Sequence, residues 1–331
     1  MSRLILVTGG AGFIGSNIAA ALVEQGYDVA VSDRLRAAES GKWRNLAKPA
    51  IADFVDPDAL PAWLAGRGSD VETIVHMGAV SSTTEPDADK IVHSNFTLSR
   101  DLFDWSAEHN RRMIYASSAA TYGDGSLGFE DDDRLEALEA LRPLNAYGWS
   151  KALFDIYAAR KAARGQAPPQ WTGLKFFNVY GPNEGHKGGM KSVVAQVWPT
   201  VRDGGQVQLF QSHNPDYADG GQMRDFVYVR DAVQIVSWLL EAPSVSGVFN
   251  VGSGQARSFK DLAVATFSAA GKAPSIGYVP TPEAIRDRYQ YYTVGKIDRL
   301  RDAGYGGKAT SLEQGVADYV QNYLAKDDPY L

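Results

Sequence analysis

One turn near the start constrains this chain more than any other feature. The apolar run Leu4-Ile5-Leu6-Val7 leads directly into Thr8-Gly9-Gly10-Ala11-Gly12-Phe13-Ile14-Gly15, and an amphipathic stretch follows from Phe13 to Gln25. Glycines at 9, 12 and 15 therefore sit between a strand and a helix. In that context Gly9 permits a tight turn, Gly12 lets backbone approach a pyrophosphate with no Cβ in the way, and Gly15 lets the helix pack closely on the strand. The free N–H groups at the start of the helix, around Phe13 and Ile14, then face the negative charge.

The first half of the chain repeats this alternation. Strands are expected at Leu4 to Val7, Asp28 to Ser32, Ala50 to Ala52, Thr73 to His76, Met113 to Ser117 and Gly173 to Phe177, with helices at Phe13 to Gln25, Asp58 to Ala65, Asp87 to Glu108 and Tyr147 to Arg164. Such alternation predicts an α/β fold, a doubly wound parallel sheet of Rossmann type covered by helices on both faces. Beyond Asn178 glycine and proline pairs thicken, as in Gly181-Pro182 and Gly220-Gly221. The expected organisation is a dinucleotide-binding domain over 1–178, with returns to the main sheet at about 226–255, and a smaller mixed α/β substrate domain over 179–331. Within the latter, Gln211 to Met223 reads as a long functional loop, whereas Glu130-Asp131-Asp132-Asp133 reads as a solvated acidic run.

Composition removes several functions. The chain has 331 residues, a formal net charge of −6 and no cysteine. An acidic balance argues against a nucleic-acid partner, because displacing counterions from phosphates needs a basic face. With no cysteine, disulfides, thiolate metal sites and cysteine nucleophiles are excluded, and no metal site is expected. No apolar run approaches the length of a membrane span. A cytoplasmic enzyme acting on a small molecule is the expectation.

Asp33 closes the second strand, where a carboxylate accepts hydrogen bonds from an adenosine ribose and so favours NAD. Arg34, Arg36, Lys42 and Arg44 crowd the next loop, however, and a cation there accommodates a 2′-phosphate. The cofactor reading leans to NADP with NAD open.

Tyr147-Gly148-Trp149-Ser150-Lys151 sets a tyrosine and a lysine four residues apart near a helix start, so both project from one face. An ammonium and an oxidised nicotinamide together would lower the phenol from its usual pKa of about 10, as a general base requires. Ser118 ends the fifth strand at the carboxyl edge of the sheet, where it can orient a reacting hydroxyl.

These segments resemble the extended short-chain dehydrogenase family, in its NAD-dependent epimerase and dehydratase branch. The glycine turn, Ala116 to Gly123, Tyr147 to Lys151 and Phe177-Asn178-Val179-Tyr180-Gly181-Pro182 are shared widely there, whereas Ser81-Ser82-Thr83-Thr84-Glu85 and Glu184-Gly185-His186-Lys187-Gly188 are similar to the narrower group of ADP-glycero-manno-heptose 6-epimerases. The resemblance implies oxidation at C6 of a nucleotide-linked heptose with Tyr147 as base, then hydride return to the other face, for lipopolysaccharide core precursors. It implies that Lys187 is the second acid/base and also touches the cofactor. It further places Met77, Gly78, Ala79, Ser81, Asn95 and Val179 around the cofactor. Asn178, Gly189, Gln196, Phe210, Gln211, Ser212, His213, Arg224 and Tyr289 fall on the substrate, with Arg224 on the diphosphate and Arg286 or Arg288 as its alternatives. A homo-oligomer is implied as well. Three features depart from the pattern: Gly189 replaces an expected serine, Gln196 an expected histidine, and the loop before Arg224 is longer. The alternatives are a nucleotide-sugar 4-epimerase using only Tyr147 and Lys151, and a cofactor-sensing protein without catalysis.

Overall fold

The computed structural model describes residues 4–286 and 289–331. Its main sheet has seven parallel strands: β1 (Leu4–Thr8), β2 (Asp28–Ser32), β3 (Asp53–Val55), β4 (Val71–His76), β5 (Arg112–Ser118), β6 (Trp171–Phe176) and β10 (Gly247–Val251), in the order β10-β6-β5-β4-β1-β2-β3. Strand order reverses between β1 and β4, which opens a crevice at their carboxyl ends.

Alternation along β1 shows why both faces are covered. Ile5 and Val7 pack with Ile18 and Leu22 of the helix Phe13–Glu24 and with Ile235 and Leu239 of the helix Val229–Glu241. Leu4 and Leu6 point the other way, into a core shared with Phe103 and Phe154 from the helices Leu98–Glu108 and Ala146–Ala163. All four β1 side chains are buried, as expected for a strand with helices on either side.

Two small sheets lie beyond the seventh strand's neighbours. β7 (Asn178–Tyr180) pairs parallel with β9 (Met223–Tyr228), which pairs antiparallel with β11 (Ala256–Ser258); β8 (Val207–Phe210) pairs parallel with β12 (Ile276–Val279). Their own core holds Tyr180, Val194, Trp198, Leu209, Tyr228, Leu262, Phe267 and Tyr319.

Several expectations shift here. The third strand lies at Asp53–Val55, three residues past Ala50 to Ala52, because its register is set by pairing with Ala30 to Ser32 of β2 and not by the local apolar pattern. Only part of the 226–255 return reaches the main sheet: β10 joins it beside β6, whereas Phe226 to Tyr228 belong to the small sheet. The helix expected over Asp87 to Glu108 contains a π-helical turn, Val92–Thr97. The acidic run is not simply solvated. Asp131 is 5% exposed and accepts from the Asn250 amide at 2.9 Å, while Glu130 pairs with Lys296 and Asp133 with Arg299. Asp131 is thus turned inward by a backbone amide far along the chain, whereas Glu130 stays exposed in its ion pair.

Candidate active site

The glycine turn lies at the mouth of the crevice. Gly9 adopts φ +66°, and a Cβ there would stand 2.6 Å from the Gly78 Cα, so β1 and β4 can deliver their turns side by side only without a side chain at this position. The helix Phe13–Glu24 begins at Gly12 with no side-chain cap and no acid in its first turn, which leaves its amide N–H groups free for an anion. A cleft of about 790 Å³ opens there. Its walls include Gly9, Gly12, Phe13, Ile14, Gly15, Asp33, Lys42, Met77, Gly78, Ala79, Ser81, Ser118, Tyr147, Lys151, Asn178, Val179 and Lys187, so most of the expected cofactor and catalytic residues converge. This is the cradle a dinucleotide needs: uncapped amides for the pyrophosphate at one end and proton-transfer groups at the other.

At the adenosine end the charges sort themselves. The Asp33 carboxylate accepts from the Ala11 amide at 2.9 Å, the Arg34 amide at 2.7 Å and the Lys42 ammonium at 2.5 Å. Arg34, expected against the cofactor, instead turns its guanidinium to Asp58, at 2.9 and 2.5 Å, and does not line the cleft. Arg44 lies over the rings of Trp43 and Tyr330. Lys42 and Arg36 are the basic residues of this loop that face the cleft.

Asn95 also departs from expectation. It is fully buried, accepting from the Val80 amide at 2.7 Å and donating to the Val80 carbonyl at 3.0 Å and the Ser150 hydroxyl at 3.1 Å, so it braces the wall of the cleft and is not part of its lining.

At the chemical end, β5 delivers Ser118 and the helix Ala146–Ala163 delivers Tyr147 and Lys151. Asn145 caps that helix, accepting from the Gly148 amide at 2.8 Å. A Cβ on Gly148 would lie 2.6 Å from the Ala120 carbonyl oxygen, so the missing side chain lets the helix start approach the turn after Ser118. Lys151 is 3% exposed and donates to the Ala116 carbonyl at 2.7 Å. Burial pulls its ammonium down to about 8, opposed by the Asp155 carboxylate. Burial pushes the Tyr147 phenol up, with a hydrogen bond from Ser118 pulling it back. Protein groups alone therefore leave Tyr147 above its ordinary value, because the desolvation cost dominates; the lowering expected of Lys151 was expected of it together with an oxidised nicotinamide.

Lys187 reaches the same cleft from the turn Gly185–Met190, its Nζ 5.1 Å from the centre of the Phe13 ring. Among the described residues no carboxylate lies within ion-pair distance of it. Burial lowers its ammonium, opposed by Glu184, itself buried and held by Ser192 at 2.5 Å from both the hydroxyl and the amide. His186, quoted only as part of a motif above, lines the cleft too, with its Nδ1 3.2 Å from the Asn45 Nδ2.

The expected substrate residues fall into three places. Asn178 lines the cleft. Phe210, His213 and Arg224 gather around Tyr289, at 6.4, 6.2 and 5.5 Å between centres, outside the lining proper. Arg224 also lies over Phe259, a residue of the cleft wall, and its only hydrogen bond among the described residues is to its own neighbour, the Met223 carbonyl. Gln211 and Ser212 are tied into the loop by backbone, to Val279 at 2.8 Å and Asp219 at 2.7 Å. Gln196 donates to the Lys191 and Gly189 carbonyls at 2.6 and 3.3 Å and so holds the Lys187 turn; a Cβ on Gly189 would meet nothing within 4 Å. Arg286 donates to the Thr281 carbonyl at 2.7 Å, and Arg288 lies outside the described residues.

Over residues 5–252 the chain matches the NAD dependent epimerase/dehydratase family. The chain belongs to this family. It is 48% identical over 331 residues, covering 99% of this chain and all of the relative, to an ADP-L-glycero-D-manno-heptose-6-epimerase of Nitratidesulfovibrio vulgaris. Among solved structures, the ADP-L-glycero-D-manno-heptose-6-epimerase of Helicobacter pylori aligns with TM-score 0.78 at 27% identity, covering 97% of this chain and 96% of that one. A UDP-glucose 4-epimerase of Thermus thermophilus in complex with NAD aligns with TM-score 0.76 at 27% identity, covering 96% and 98%. As in this family generally, the crevice is that of a nicotinamide dinucleotide enzyme. Two epimerases acting on different sugars share the fold almost equally, so the side chains and not the backbone separate their reactions.

Proposed function

We propose that this chain inverts C6 of the heptose in ADP-D-glycero-D-manno-heptose, giving the L-glycero epimer used for lipopolysaccharide core, with retained NADP. The observation that carries this reading is Lys187, a second proton-transfer group on the cleft that already holds Ser118, Tyr147 and Lys151. A second acid/base serves an epimerase that exchanges protons with the two alcohols from different sides, and a 4-epimerase with a single base has no use for it. The full-length likeness to a protein named for this reaction supports the same choice.

Bound nicotinamide supplies the hydride acceptor and donor. Ser118 holds the reacting hydroxyl while Tyr147 moves its proton; Lys187 exchanges a proton with the oxygen of the inverted centre. Arg224, half-buried without a carboxylate partner among the described residues, offers its planar fork to the diphosphate. NADP is favoured over NAD because Asp33 is already occupied by three donors and Lys42 presents an ammonium beside it. Residues 1–178 with the later returns act as the cofactor domain and the remainder as the substrate cover, in a cytoplasmic homo-oligomer; no helix among the described residues is long and apolar enough to cross a membrane.

The test is incubation with ADP-D-glycero-D-manno-heptose, C6 configuration being followed by NMR and the cofactor identified after denaturation. Inversion by the parent, lost in Tyr147→Phe and Lys187→Met, with NADP released, is the expected result. Full inversion by Lys187→Met, or turnover of a 4-epimer pair instead, overturns the reading.

A further inference from the structure

The ladder of side chains that begins with Tyr147 and Lys151 does not stop there. Asp155 lies one further turn along the same helix, i+4 from Lys151, and is fully buried. Its Oδ1 accepts from the Tyr115 hydroxyl at 3.1 Å, and its Oδ2 from the Ser117 hydroxyl at 2.7 Å and from the Lys175 ammonium at 3.1 Å. Lys175, on β6 directly opposite Ser117 of β5, is 1% exposed. The same ammonium lies 4.7 Å from the centre of the Tyr122 ring and donates to the Thr121 hydroxyl at 2.7 Å. Thr121 in turn donates to the Ser118 carbonyl at 2.9 Å.

An ion pair this deep is costly unless its lone pairs and protons are satisfied, and by itself it adds little to stability. Two consequences of its position stand out. It grips the strand end on both sides of Ser118, through Ser117 and through Thr121. It also sets a carboxylate near the buried ammonium of Lys151, which donates its hydrogen bond to a neutral carbonyl.

We infer that Asp155, paired with Lys175, is a positioning residue for proton transfer, the buried counter-charge that keeps Lys151 protonated while anchoring the strand end that carries Ser118. The inference rests on the reading of Tyr147 and Lys151 given above. Titratable groups reach the surroundings of Lys151 from its own helix and from the sheet. Tyr147 and Asp155 are on its own helix. His76 on β4 is held neutral, burial lowering it to about 3 with Lys151 adding to the effect. Tyr115 on β5 is a neutral phenol pushed up by burial and then by Asp155. Lys175 on β6 is the remaining cation. Asp155 is therefore the carboxylate whose field raises Lys151 against desolvation.

Asp155→Asn preserves shape and removes the charge. Its expected effect is an alkaline limb of kcat moved to lower pH by about one unit, the size of shift a near carboxylate exerts, with KM within about twofold of the parent. A second readout does not depend on turnover: the Lys151 ammonium followed by NMR in 15N-lysine-labelled protein, assigned by its loss in Lys151→Met, should titrate at lower pH in Asp155→Asn than in the parent. If Asp155→Asn alone does not fold because Lys175 is left unpaired, Asp155→Asn with Lys175→Met removes both charges and should fold; displacements in the same direction but smaller are expected, because the Lys175 cation is lost as well. An unmoved limb and an unmoved Lys151 titration in a folded variant overturn the role of Asp155, while Tyr147→Phe with full turnover overturns the underlying reading as well.

Discussion

The Lys151 ammonium donates to the Ala116 carbonyl, 2.7 Å away, and this bond binds the fourth turn-neighbour of Tyr147 to the strand that ends in Ser118. The lysine is thus fixed by β5, and in the reading proposed above its part in proton transfer is that of its charge. Burial has brought that charge close to neutral pH, at about 8.

The first prediction concerns this charge. Turnover should decline above pH about 8 as Lys151 loses its proton and its field no longer supports Tyr147. Lys151→Met should lose roughly 10²–10³ in kcat, and its residual rate should lack that limb. A pH–rate profile of both proteins provides the check; an alkaline limb unchanged in Lys151→Met assigns it elsewhere.

In the proposed reading cofactor choice turns on Lys42, which bonds Asp33 at 2.5 Å and the Arg34 carbonyl at 3.0 Å on the cleft side. Lys42→Ala removes the cation and frees Asp33 for ribose hydroxyls. Affinity for NADP should fall about tenfold relative to NAD, equivalent to about 1.4 kcal/mol. Calorimetric titration of stripped protein with each dinucleotide measures it, and Arg34→Ala, removing a guanidinium already committed to Asp58, serves as the comparison with little change expected.

His76 makes stability depend on pH in the acid range. Its ring is buried between the Thr8 hydroxyl, 2.5 Å from Nδ1, and the Ser99 hydroxyl, 2.8 Å from Nε2, and burial lowers it from 6.5 to about 3. The unfolded chain takes up this proton near 6.5 while the folded one resists until about 3, so the unfolded state binds more protons in between. Stability contributed by the neutral ring is complete above 6.5 and is lost as pH falls through that window. The melting temperature of His76→Gln should fall less steeply between pH 6 and 4 than that of the parent, in scanning calorimetry.

Gly148→Ala tests close approach. The added Cβ would meet the Ala120 carbonyl at 2.6 Å, and backbone on both sides must yield. We expect a loss of stability of about 1–3 kcal/mol, the range for overpacking, and a fall in kcat beyond what the lost stability explains, since Tyr147 moves from Ser118. Denaturant unfolding with steady-state kinetics separates the two effects.

Much of the fold was legible because its signals are local. The apolar alternation of Leu4 to Val7 makes a strand covered on both faces, and glycines at three-residue spacing at its end make the turn, whichever chain surrounds them. Tyr147 and Lys151 share a helix face by spacing alone, and an acid at the next position of that ladder, Asp155, was a readable signal not taken up. Register along the sheet was less legible: nothing local distinguishes Ala50 to Ala52 from Asp53–Val55 until β2 offers its hydrogen bonds.

The sequence by itself therefore determined the parallel sheet, the phosphate-binding turn and the pairing of tyrosine with lysine, since each depends on residues a few positions apart. The tertiary structure alone decided which charges face the cleft. Arg34 and Lys42 look interchangeable in the chain, yet Asp58 claims one and Asp33 turns the other to the cofactor side. Asp155 and Lys175, twenty positions apart and on different elements, become a buried pair only when the helix that carries Asp155 packs on the sheet that carries Lys175. Electrostatic interactions of this kind depend on distance and desolvation in space, and neither quantity exists before the chain is folded.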